Sequence, residues 1–131
     1  MSAMSDYLEN KFLDHFTGTA STSAPAAVYL ALFTSNPADD ASGTEVSTSG
    51  TAYTRKAITF GSASSGSISS NADVTFDQAT GGGFGAVSHF GIFDASTAGN
   101  LLFYGAFTSS KTIEAGDVFK VSSGDLTITA A

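Results

Sequence analysis

Short apolar segments broken by turn residues run from residue 27 to residue 130, and their spacing constrains the fold more than any single motif does. The segment "AAVYLALFTS" places Val28, Leu30 and Leu32 on one face and Tyr29 and Phe33 on the other. Apolar residues on both faces predict a central strand covered from both sides. "GTAYTRKAITF" alternates, with Lys56, Ile58 and Phe60 on one face and Tyr53, Arg55 and Ala57 on the other. "GSASSGSISSNADVTF" is a small-residue segment leading to Val74 and Phe76. "AVSHFGIFD" and "NLLFYGAFT" flank "ASTAGN", a short turn-rich connection that predicts a hairpin. "KTIEAGDVFKVSSGDLTITAA" predicts three short strands broken at Ala115-Gly116-Asp117 and Ser123-Gly124-Asp125. The expected fold is mostly β: a single-domain antiparallel β-sandwich or jelly-roll-like barrel.

One helix precedes these strands. Ser5 or Asp6 can cap it, Glu9 lies three residues after Asp6, and Leu8, Phe12 and Phe16 recur every four residues with Leu13 beside them. Asp6 and Glu9 suit the positive end of the helix dipole, and Gly18 is a natural stop. The expected organisation is a helix arm over residues 1–18 and a β-sandwich domain over 19–131. The apolar stripe either covers an open end of its own β-domain or packs on a neighbouring subunit. Tyr7, Leu8, Phe12 and Phe16 are the candidate partner-contact residues. The ends, "MSAMSD" and "TAA", would fray unless something holds them, and partners are expected to do so.

The stretch "GGGFGA" satisfies G-x-G-x-x-[G/A] with Gly81, Gly83 and Ala86. A phosphate loop needs a helix N-terminus behind it. The next residues, "AVSHFGIF", have the composition of a strand, so the glycines read as a connection and not as a nucleotide site. Other chemistry is equally thin. His15 falls at the helix end, and His89 sits inside a predicted strand. A serine, His89 and Asp94 could form a triad only by geometry the sequence does not show, and there is no G-x-S-x-G elbow. Asp39, Asp40 and Glu45 share a loop without EF-hand spacing. No catalytic, cofactor-binding or metal-binding residue is expected, and no enzymatic activity.

Charge narrows the partners. The 131 residues carry a net charge of −7 with only five Lys and Arg, and their one basic pair is Arg55-Lys56. Direct nucleic-acid binding and binding to anionic membranes are not expected of such a chain. No cysteine is present, so disulfides and thiolate chemistry are excluded. "MSAMSDYLENKF" lacks the basic and apolar regions of a secretory signal, and no run is long enough to span a membrane as a helix. Charged residues make up 13% of the chain, so a surface of Ser, Thr, Ala and Gly can be buried against another protein with little desolvation.

The order "SDYLENKFLDHF", "AAVYLALFTSNP", "GTEVSTSGTAYTRKAITFG", "HFGIFDASTAGNLLFYGAFT", "KTIEAGDVF" and "GDLTITAA" resembles a group of small tailed-bacteriophage virion proteins commonly labelled tail fiber protein. The resemblance covers nearly the whole chain; "YLALFTSNP" and "HFGIFDA…GNLLFYGA" are its specific parts. An aromatic before the glycine that leads into the "HFGIFD" strand is part of the pattern, and Phe84-Gly85 stands there. The resemblance implies a structural protein of the virion, made in the cytoplasm of the bacterial host. A 131-residue domain with one helix and no repeat cannot itself form a long intertwined shaft. The expected role is a capsid decoration (cement) protein on the major capsid protein, acting as a homo-oligomer, with a trimer expected. The alternative is a tail-fiber or tail-associated protein involved in host adsorption, with tail proteins as partners.

Overall fold

A computed structural model of the chain describes residues 2–130. In chain order the elements are β1 (Ser2–Met4), α1 (Asp6–Phe16), β2 (Val28–Phe33), β3 (Lys56–Ile58), β4 (Ser67–Ser69), β5 (Val74–Thr75), β6 (Gly85–Phe93), β7 (Leu101–Ile113), β8 (Lys120–Val121) and β9 (Thr127–Thr129). A five-stranded sheet runs β1-β7-β6-β2-β3, and two-stranded ribbons pair β4 with β9 and β5 with β8. Every pairing is antiparallel. The mostly-β, one-helix, single-domain expectation holds in its sandwich-like form. Among the described residues the sheets remain open and no barrel closes.

The strand predicted to be covered on both sides is β2, second from the end of the sheet. Leu30 and Leu32 are fully buried in the main core, together with Ile58, Phe90 and Ile92 from the same sheet. The ribbons close that core from the other side with Val74, Val121 and Ile128, joined by Phe76 and Leu126 beside them. Burying side chains of this kind stabilises the fold by roughly 1.5–3 kcal/mol each. The opposite face of β2 presents Ala31 and Phe33 to a smaller cluster with Phe93 and Leu101. Gly91 lies between the rings there. A Cβ on it would stand 3.0 Å from both Phe33 and Phe93 and 2.9 Å from Leu101, so any larger residue would have to displace these side chains.

The β6–β7 hairpin forms as its sequence predicts, with Asp94 accepting from the Asn100 amide at 2.7 Å across the connection. Two features differ from expectation. The strand after the turn does not stop near Thr108 but continues to Ile113, absorbing the first of the three predicted C-terminal strands. Its register also slips: Val87 pairs with Lys111 but His89 with Ala106, so Phe107–Ser110 bulge opposite Ser88 alone.

The chain ends are held internally, contrary to the expectation that partners must hold them. Ser2–Met4 pairs with Phe103–Gly105 of β7, and the Ala130 amide donates to the Gly66 carbonyl at 2.8 Å. Met1 and Ala131, part of that expectation, lie outside the described residues.

Candidate functional site

The helix is built locally as its sequence dictates and is rooted at one end. Ser5 is the N-cap, its Oγ accepting from the Leu8 amide at 3.2 Å. The same hydroxyl donates to the Leu101 carbonyl, and the Ser5 amide donates to the Leu102 carbonyl at 2.9 Å. Ser5 is thus buried where the chain leaves β1, and it ties the first turn to β7. At the far end Thr17 caps the helix, and Gly18 turns the chain away at φ +77°.

No residue of α1 is buried. Leu8 is half-buried, and with Tyr7 it lines a groove of about 440 Å³ whose other walls include Pro25, Val28 and Phe103. Lys11 lies on this groove side, its ammonium 5.7 Å from the Tyr7 ring centroid. Phe12, Leu13 and Phe16 point elsewhere and remain 47%, 57% and 72% exposed. The rings of Phe12 and Phe16 pack on each other at 4.9 Å. The four residues singled out from sequence therefore divide, Tyr7 and Leu8 toward the domain and Phe12 and Phe16 toward solvent.

Acidic groups border this surface. The Tyr104 phenol donates to the Asp39 carboxylate, and that bond, then burial, then the charges of Asp39, Glu9 and Asp6 push the phenol up to about 12. The folded value exceeds the ordinary value of about 10. Stability from this contact is therefore complete below pH ~10 and is lost as pH rises through about 12. We expect Asp39→Asn to move the Tyr104 step in an ultraviolet phenolate titration down toward 10. An unchanged titration would mean that Asp39 does not hold the proton in place.

Arg55, Tyr53 and Lys56 are committed to structural bonds. Arg55 donates Nε and Nη2 to Glu45 at 2.9 and 2.8 Å and Nη1 to the Ala95 and Ala98 carbonyls at 3.0 and 2.7 Å. Its guanidinium lies 3.7 Å from the Phe93 ring centroid. Tyr53 donates to Glu45 at 2.6 Å and accepts from the Leu32 amide at 3.0 Å; burial and Glu45 push its phenol far above the ordinary value. Arg55 and Lys56 diverge, since Lys56 pairs with Asp77 at 3.1 Å. Sequence alternation placed Tyr53 and Arg55 on one strand face but gave no sign of this hub, because Glu45 lies in the preceding loop.

Asp39, Asp40 and Glu45 do not converge: Asp40 accepts from the Ser42 amide at 3.1 Å, while the other two hold Tyr104 and Arg55. Asp40 and Asp94 both have carboxyls held below the usual range, Asp40 by its Ser42 bonds and Asp94 by its Asn100 bonds against a burial effect in the other direction. His89 Nδ1 meets Ser88 Oγ at 2.7 Å, but Asp94 bonds Asn100, so the three-residue arrangement is not assembled. His15 Nδ1 accepts from the Thr22 amide at 3.2 Å. The glycine stretch feeds β6 directly; Gly83 has φ +78°, and a Cβ there would collide with the Ile113 carbonyl. Among the described residues no three His, Asp or Glu side chains are grouped to hold a metal.

With the polar groups of its candidate sites bonded internally and an apolar helix face in solvent, the molecule has the build of a subunit that assembles with other proteins. The family model described as Podophage GP4 fiber I protein gp80 matches residues 3–129, and the chain belongs to that family of phage fiber-type structural proteins. Its place is the virion, and its associations are with other virion proteins. No curated protein gives a significant match to the chain.

Proposed function

We propose that the protein is a non-enzymatic structural subunit of the phage tail-fiber apparatus that takes part in host adsorption. Residues 1–18 act as its assembly arm and residues 19–131 as the domain that carries the arm. The observation behind this reading is the bare face of α1, where Phe12, Leu13 and Phe16 are about half to three-quarters exposed although the helix is rooted through Ser5. Such a face covers no part of its own core, which favours an intersubunit role over a lid on the domain. Its four-residue repeat gives it the shape of a helix that lies in a partner's groove.

Composition alone favoured a cement protein on the capsid. The fiber family supports the tail-associated alternative over it. Size still limits the role: a domain of this length joins or caps a fiber and does not form its shaft. Gold labelling of a tag on this protein in intact virions should decorate tails. Virions lacking the chain should adsorb poorly while keeping normal heat resistance, and the purified chain should show no ester- or glycan-cleaving activity that His89→Ala removes. Label on the capsid surface, or heat-sensitive particles that still adsorb, would return the protein to the head.

A further inference from the structure

The bulge in β7 opens a second groove, of about 420 Å³, away from the helix root. Its apolar lining includes Phe107, Phe119 and Leu126, and its rim carries Lys111 and Lys120, two of the five cations in the chain. Phe107 and Phe119 are only half-buried, with ring centroids 5.6 Å apart. Asp125 also lines the groove, and Lys120 is shared with Asp73 at 3.4 Å. That pair is half-exposed on both sides, an arrangement that contributes little and is easily exchanged.

The helix offers a matching shape and charge. At 3.6 residues per turn, Glu9 falls between Phe16 and Leu13, and Asp6 follows Leu13 on the same side. Lys11 lies opposite, facing the first groove. The outward face is therefore apolar with Glu9 in its middle and Asp6 at its edge, and the β7 groove is aromatic with lysines on its rim. We propose that the helix face of one copy seats in the Lys111–Lys120 groove of a second copy of this chain. Parallel face-to-face pairing of two helices would instead set Glu9 and Asp6 against their own counterparts, which like-charge repulsion opposes. The two patches are distinct: the helix is rooted at Leu101 and Leu102, and the groove opens from Phe107 onward along the same strand. The contact is thus head-to-tail, and it closes into a ring where the rotation permits, a trimer being the expected homo-oligomer. This inference rests on the reading of the helix face as an assembly surface and supplies its occupant.

Sedimentation of the full chain in low salt tests the contact. The native chain should associate, and association should weaken as salt screens the rim. Phe12→Ala/Leu13→Ala/Phe16→Ala should weaken association by at least about a hundredfold and, separately, Lys111→Glu/Lys120→Glu by at least about tenfold. Mixed together, the two variants should form a one-to-one dimer and nothing larger, because one keeps the groove and the other keeps the helix. Lys111→Glu alone repeats the second arm without touching the Asp73 pair, and circular dichroism reports whether each variant is folded. A native chain that stays monomeric, or a mixture that stays monomeric, overturns the proposal. Loss of association in the helix variant with none in the lysine variants rejects the groove but keeps the helix as an assembly face. Tail labelling of virions is read independently of all these outcomes.

Discussion

Arg55→Ala is expected to remove about 3 kcal/mol of stability, measured as a fall in the urea midpoint with an unchanged slope. Breaking one partner of a buried ion pair costs roughly 3–5 kcal/mol. The lower end applies because the Glu45 side chain is 26% exposed and water can partly replace the guanidinium, whereas Arg55 itself is 8% exposed. The loss is not confined to one pair. Arg55 is the common donor to Glu45 in one loop and to Ala95 and Ala98 in the β6–β7 connection, and it covers the Phe93 ring. Its removal leaves two carbonyls and a carboxylate without their donor. Arg55→Lys should recover only part of the loss, since an ammonium cannot serve the carboxylate in bidentate fashion and both carbonyls together. For a domain whose total stability is on the order of 5–15 kcal/mol, this is a large fraction. A loss under about 1 kcal/mol would reduce the hub to an ordinary surface pair.

The second large effect is the reverse: lost assembly with an intact fold. Phe12→Ala/Leu13→Ala/Phe16→Ala removes side chains that touch little of the core, and alanine suits a helix at least as well. Urea unfolding should therefore change by no more than about 0.5 kcal/mol. Each of the three side chains stands to gain roughly 1 kcal/mol or more when a partner covers it. Together they correspond to at least about a hundredfold in affinity. Virions grown with the variant as the sole source of this chain should carry little of it and adsorb poorly. Normal copy number in such virions would show that the arm is not the attachment surface.

What was legible in the sequence was what local physics decides. Ser5 as a cap, the apolar spacing of α1, the two-sided character of β2 and the hairpin after Asp94 each depend on residues within a few positions of one another. What was hidden depended on partners far along the chain. Ser2–Met4 has no strand signature, and it becomes β1 because β7 offers it a free edge. The slip between Val87 and His89 leaves no trace in the alternation of either strand, so the groove it opens could not be foreseen. Glu45 looked like one acid of a loop cluster, and only the fold shows that it belongs to Arg55 and Tyr53. The helix face was visible as a stripe of apolar residues, but whether its own domain covered it was a tertiary question.

The short edge strands bear on how the protein avoids association of the wrong kind. Both ends of the five-stranded sheet are three-residue strands, β1 and β3, while the nine-residue β6 and the thirteen-residue β7 lie inside it. An unpaired edge of long, flat strand is a template on which other chains can polymerise. Here β1 occupies Phe103–Gly105 of β7, and the bulge at Phe107–Ser110 interrupts the rest of its outer edge. At the other end Lys56 puts a charge on the short edge strand. A stray strand thus finds no continuous ladder to join. Contacts of this sheet with other proteins therefore fall to side-chain surfaces, which can be selective.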